Sequence, residues 1–338
     1  MQQRASVSSR PQLSAWTGAP SLVPRACTAR CGTLGGAAAV ARGQRCRTAA
    51  AGGGGADDAP STSYNHLSAT IKRKQRQVES QLTELGMEAL DERLQSATQA
   101  PVNPPYRLSR LISQITSTEG RAALVVEIAR PSPSATPTQL AALAKRAVAA
   151  GADALVVRID TEDTPEGSKD LWAVTQAVRV PVLARDWCIH PLQVVEAKEA
   201  GAAGLVGVIA QVNGRGTAVM SSFSAALGLD APVEIVNSRE LEGLSRMGVV
   251  FYGVNIGVGI SVSLPGFASD LAHGLLGEMP FGAISLVGAK GLEDARKARL
   301  SGADAVLVKK EMWEAAEAEG RGLEALLEQV RYVTGGDD

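Results

Sequence analysis

The sequence predicts an α/β fold, a (β/α)8 TIM barrel, on three observations. Eight short apolar runs recur along the chain, amphipathic segments separate them, and glycines close those segments just before the next run. The runs are LVVEI (124–128), DALVVRI (153–159), VPVLAR (180–185), AGLVGVI (203–209), PVEIV (232–236), VVFYGVN (249–255), GAISLV (282–287) and DAVLV (304–308). Their unbroken apolar character suits parallel strands covered on both faces. Segments 138–152 and 292–303 carry helical periodicity, and AGA, AGAAG and SGADA end helices on glycine. A doubly wound open sheet is the alternative. It needs fewer strands and usually a glycine-rich first turn, and LVVEIARPSPS is not one.

Before the barrel, the chain changes character twice. Residues 1–56 hold seven Arg, no Lys and no acid, are rich in Ala, Ser, Thr and Gly, and end in AAAGGGGA. That composition predicts a disordered organelle transit peptide, and PRACTARCGT favours a plastid, so the expected location is the chloroplast stroma. No continuous apolar core of a secretory signal is present. Residues 57–105 form a helical extension capping the barrel, and 106–338 the barrel itself. In the extension Leu67, Ile71, Val78, Leu82 and Leu85 recur at helical spacing, with Lys72, Arg73, Lys74 and Arg76 between them. The basic run is expected to be the solvated face of this helix. Pro101, Pro104 and Pro105 then break the chain.

Composition excludes several classes. The chain has 34 basic and 35 acidic residues, and setting aside the seven presequence Arg leaves 27 against 35. A domain of that sign is a poor general binder of nucleic acid or membrane. No apolar stretch is long enough for a membrane span. Cys27, Cys31 and Cys46 lie in the presequence and only Cys188 beyond it, so neither a disulfide framework nor a CxxC metal site is expected. His66, His190 and His273 are too dispersed for a zinc site, and no metal or cofactor is expected.

In a (β/α)8 barrel the working residues lie at the C-terminal ends of the strands. Those positions give Glu127 on the first strand, followed by Arg130 to Ser134, and Arg185-Asp186-Trp187 on the third. They give Glu234 on the fifth, Asn255 on the sixth, Gly288 on the seventh and Lys309-Lys310 on the eighth. Two carboxylates facing one barrel mouth need a cation between them or a raised pKa, and Arg185 is the expected partner. Singly these are rim ion pairs; together they favour a ligand site.

Several of these segments resemble the indole-3-glycerol-phosphate synthase family. EIARPSPS resembles its first-strand signature E-x-K-x-x-S-P-S, and VPVLARDWCIHPLQ resembles the third-strand segment V-L-x-K-D-F-I-x-D-x-x-Q. EGSKDL, VEIVNSRELE, YGVN and VGAKGLEDARKARLSGADAVLV resemble the family's other segments, and ATIKRKQRQVE its capping helix. The resemblance implies a cofactor-free carbon–carbon lyase of tryptophan biosynthesis, which closes an anilino-deoxyribulose phosphate into an indole with loss of CO2 and water. It implies catalytic roles for Glu127 and Glu234, with Arg185 at the third catalytic position, substrate contacts at Ser132 and Asn255, and a phosphate site at Gly288, where Lys309 and Lys310 either hold the anion by charge or are surface lysines beginning the last helix. Ser132, Pro133 and Ser134 are retained.

Other family positions are replaced. The first-strand lysine is Ala129 and the third-strand lysine is Arg185. The arginine two residues past the strand-six amide is Gly257, the Glu-Ser-Gly of the seventh strand is Leu286-Val287-Gly288, and the glycine after the eighth is Lys309. An arginine keeps the charge but holds its proton too tightly to donate it. Three functions therefore stay open. One is a barrel with ring closure lost or altered, keeping a sugar-phosphate pocket or binding a protein partner. The others are an active synthase and a different sugar-phosphate enzyme on the same scaffold.

Overall fold

The computed structural model describes residues 60–160, 164, 166–257 and 268–335. The expected transit peptide, Cys27, Cys31 and Cys46 lie outside the described residues, and so do residues 258–267 of the loop after Asn255.

Three helices precede the first strand. They are α1 (Pro60–Leu85), α2 (Met87–Gln99) and α3 (Arg107–Thr118). Gly86, at φ 79°, breaks the first from the second, a backbone region open to glycine at no steric cost. The sequence had merged these two into one helical stretch.

The alternating units follow as β1 (Ala123–Ile128), α4 (Pro137–Ala149), β2 (Ala154–Arg158), α5 (Gly167–Ala177), β3 (Val182–Arg185) and α6 (Pro191–Glu199). Then come β4 (Gly204–Val206), β5 (Val208–Ile209), α7 (Ala210–Asn213), α8 (Gly216–Ala226), β6 (Val233–Ile235) and α9 (Ser238–Arg246). The last are β7 (Phe251–Val254), α10 (Ala268–Gly277), β8 (Ile284–Ala289), α11 (Leu292–Leu300), β9 (Ala305–Val308), α12 (Lys310–Ala318) and α13 (Gly322–Thr334). The expected glycine stops hold: Gly151, Gly201 and Gly302 all take positive φ.

All strand pairs are parallel, in the order β4-β3-β2-β1-β9-β8-β7-β6-β5. The eight predicted runs yield nine strands because AGLVGVI divides at Gly207. This residue sits at φ 115°, and a Cβ there would stand 1.7 Å from the carbonyl oxygen of Asp186. The two end strands of the order are thus separated by one residue, and the ring closes through it. Reciprocal bonds of Leu205 N–H to Asp230 O (2.9 Å) and Asp230 N–H to Ala203 O (3.0 Å) support the seam.

The core is double. One apolar cluster lies between the strands and the helix ring, with Leu140, Val174, Val194, Leu244 and Leu327 among its helical members. A second fills the barrel with Val125, Val156, Leu183, Val206, Leu286 and Leu307. Leu108, Ile112 and Ile115 of α3 join this inner cluster and plug the end below it. Each such buried aliphatic contributes about 1.5–3 kcal/mol. The Leu108 N–H donates to Asp230 Oδ2 at 2.7 Å, which fixes the start of the plug. At the opposite end, the alternation of side chains turns the same inward rows from apolar to charged.

The extension departs from expectation. Ile71 and Val78 are buried and Lys72 and Arg76 solvated as predicted, but Arg73 and Lys74 between them are not. Lys74 is 1% exposed and reaches Asp186 at 2.5 Å and Asp160 at 3.6 Å. Arg73 pairs with Asp160 at 2.9 Å. The carboxylates at the ends of β2 and β3 therefore hold α1 over the mouth.

Candidate functional site

On β1 the inward row runs Ala123, Val125, Glu127, and on β9 Ala305, Leu307 and then Lys309. On β2 and β3 it ends at Arg158 and Arg185, which are register partners. Glu234 of β6 stands opposite Gly253, and Gly288 of β8 opposite Leu307. Strand periodicity thus brings five charged side chains into the uppermost layer: Glu127, Arg158, Arg185, Glu234 and Lys309.

Glu127 is fully buried. Its Oε1 accepts from Arg158 Nε at 2.8 Å and from Arg185 Nη1, and its Oε2 from the main-chain N–H of Lys310 at 3.3 Å. Its carbonyl accepts from the Trp313 indole at 2.7 Å. Arg185 is the expected partner. Arg158 was absent from the sequence list, although the signal is present: it ends ALVVR as Arg185 ends VLAR. Arg185 also donates to Ile256 O at 3.3 Å, linking the third and sixth units.

Glu234 is 1% exposed and accepts from the N–H groups of Ile256 (3.1 Å) and Gly257 (2.9 Å). Burial pushes its carboxyl up to about 7, against the pull of the Gly257 N–H and of the Lys309 and Arg185 charges. A Cβ at Gly257 would stand 3.0 Å from Glu234 Oε2, so the residue replacing the family's arginine lies close against this carboxylate.

Lys309 is 4% exposed. Burial and then the Arg185 charge pull its ammonium down to about 8. Its stem passes over Gly288, where an added Cβ would meet Lys309 Cε at 2.7 Å and Asn255 O at 2.1 Å. Asn255, at φ 56°, donates through Nδ2 to Gly288 O at 3.1 Å and joins the sixth and seventh units. Behind Gly288 a cavity of about 130 Å³ is lined by Asn255, His273, Lys290 and Lys297.

The remaining expected residues stand apart. The Lys310 ammonium lies 3.1 Å from Glu314 on its own helix, and only its main-chain N–H faces Glu127. Ser132 is exposed and shares a 3.1 Å hydrogen bond with Ser134.

Two motifs prove to be braces. Gln193 accepts from the N–H groups of Ile189 and His190 and donates to Asp186 Oδ2 and Trp187 O, each within 3.1 Å. This clamps the turn after β3, and His190 caps α6 through Nδ1. Buried Asp170 takes two bonds from Arg130, at 2.7 and 2.9 Å, and so fixes the loop after β1 to α5.

Residues 67–323 match the family model described as Indole-3-glycerol phosphate synthase. The chain is similar to the indole-3-glycerol phosphate synthase of Opitutus terrae, 35% identical over 56% of this chain and 74% of that one. It is also similar to that of Chlorobium chlorochromatii, 29% identical over 64% and 83% of the two chains. Indole-3-glycerol phosphate synthase 2 of Streptomyces coelicolor is 31% identical over 55% and 73%.

Proposed function

The chain belongs to the indole-3-glycerol phosphate synthase family, and from that premise we propose that it is a plastid member whose ring-closing decarboxylation is lost or altered. It keeps a pocket for an anionic sugar phosphate. The observation that carries this reading is the engagement of Arg185. Where the family pattern has a lysine, this chain has a guanidinium bound to Glu127 and Ile256 O. A guanidinium so held is a fixed charge and a poor proton donor. Ala129 and Leu286 remove two further groups from the family's set. Lys290 and Lys297, which with Asp294 line the cavity behind Gly288, support an anion pocket. The composition of residues 1–56 supports the plastid location.

One observation favours an active synthase as the second reading. Glu234, titrating at about 7, can exchange a proton at neutral pH where Arg185 does not.

Ring closure of the anilino-deoxyribulose phosphate, followed by indole fluorescence on the full chain, separates the two. The expected result is no turnover at an ordinary enzymatic rate, with saturable binding of a reduced substrate analogue. A gain on Ala129→Lys combined with Arg185→Lys is also expected. Ordinary turnover by the unmodified chain overturns the proposal. Absence of analogue binding transfers the function to a protein partner.

A further inference from the structure

Two lysines of this barrel are almost completely buried, and they are treated differently. Lys74 has carboxylates at 2.5 and 3.6 Å. The Lys309 Nζ makes no hydrogen bond or ion pair among the described residues, and only its main chain is engaged, with Ala289 and Met312. The Lys309 stem is buried while its ammonium tip keeps contact with solvent, and the desolvation that goes with that setting weakens the hold on its proton. A neutral amine is a nucleophile.

The surroundings sharpen this. Lys309 follows β9 at the C-terminal end of the barrel, where its stem lies against Gly288, with no side chain between them. The groups acting on it are the charges of Arg185, Glu234, Lys290 and Glu127. Glu127 is held by two arginines, so it is a weak counterion for Lys309. Glu234 is the buried carboxyl able to carry a proton at neutral pH.

We propose that Lys309 is an imine-forming nucleophile, acting on a ketone or aldehyde that carries a phosphate or carboxylate. The Nζ lone pair adds to the carbonyl carbon, and the carbonyl oxygen takes a proton to give a carbinolamine. The proton taken by that oxygen is one the added nitrogen gives up; protonated Glu234 then delivers a second to the hydroxyl, which leaves as water while the nitrogen lone pair forms the C=N bond, and the iminium N–H returns a proton to the Glu234 carboxylate. The balance is amine plus carbonyl giving imine plus water, with no change of oxidation state. Arg185 and Lys290 supply positive charge for the anionic substituent. The inference goes beyond the family's ring closure, and its test reads a bond to nitrogen rather than indole formation.

The test incubates the full chain with pyruvate or with dihydroxyacetone phosphate, each with sodium cyanoborohydride. Intact mass and peptide mapping then locate the reduced adduct. The expected result is label at Lys309 on the order of tenfold above the mean of the other lysines. The labelling rate rises through about pH 8, and Glu234→Gln slows it. Label with dihydroxyacetone phosphate alone assigns the phosphate class, and with pyruvate alone the carboxylate class. Lys309→Met removes the selective adduct while Lys310→Met keeps it, both variants being checked by circular dichroism. Adducts spread over the lysines without excess at Lys309, with both probes, overturn the inference. So does an excess that survives Lys309→Met.

Discussion

Arg158 Nε donates to Glu127 Oε1 across 2.8 Å, on the same oxygen that Arg185 engages. The carboxylate between them is fully buried, while the arginines keep 25% and 15% side-chain exposure. The acid therefore organises the layer and the arginines serve it. Replacing Arg158 by Met leaves Glu127 with one guanidinium and one N–H, and is expected to cost about 2 kcal/mol. Glu127→Ala removes the carboxylate that Arg158 and Arg185 share, leaving Arg158 with Glu311 at 3.6 Å, and is expected to cost about 3–5 kcal/mol. Urea unfolding of both variants gives the order. If Arg158→Met is the more damaging, the layer is not built around Glu127.

The contact of Lys74 with Asp186 makes a prediction about α1. Lys74→Met leaves Asp186 buried without its cation, and burial already pushes that carboxyl above its ordinary value. A loss of about 3 kcal/mol is expected. Amide exchange should accelerate along α1 while the protection of β1 and β9 holds. Equal acceleration in those strands would show that the extension is not a separable unit.

The pH dependence of stability separates Glu234 from Lys309. Glu234 titrates at about 7 in the fold against an ordinary 4.5. Between those values the folded chain holds the extra proton, so stability falls as pH rises through that window. Lys309 titrates at about 8 against an ordinary 10.5. There the unfolded chain holds the extra proton, so stability rises from about 8 to 10.5. Each slope amounts to about 3 kcal/mol at most. Glu234→Gln flattens the first, and Lys309→Met flattens the second and raises stability at neutral pH. Chemical unfolding across the range reads both, and a neutral-pH loss in Lys309→Met contradicts the burial of an unpaired amine.

Gly207 is the residue at which the ring of strands closes. Gly207→Ala places a methyl group 1.7 Å from Asp186 O at a φ that side chains rarely adopt. A loss above about 4 kcal/mol is expected, visible as a collapse of the thermal midpoint. Gly243→Ala, half-buried in α9 with nothing near the added carbon, is the control that holds or raises it.

Fold and site were unequally legible in the sequence. Periodicity carried the barrel, because a strand buried on both faces is written as a continuous apolar run. The split of AGLVGVI was not legible, since a glycine at φ 115° looks like any small residue until the neighbouring carbonyl is in place. The pairing of Glu127 with Arg185 followed from the need to neutralise a buried acid. Arg158 followed from the same count along its strand and was passed over. In the basic run of α1 only Lys74 misled outright, because a buried lysine and a solvated one are the same letter. Only Asp160 and Asp186, some 90 to 110 positions away, decide which it is. Lys309 was legible as a replacement, yet its direction came from the row of β9, which turns residue 309 inward and residue 310 toward Glu314.

The plug formed by Leu108, Ile112 and Ile115 gives the barrel a floor. Among the described residues, the charged layer lies at the end of the barrel opposite this floor, where Lys74 of α1 meets Asp186. The filled barrel is a recess and not a passage, and what reaches the charged layer meets it on the side where Arg158 and Arg185 keep their exposure.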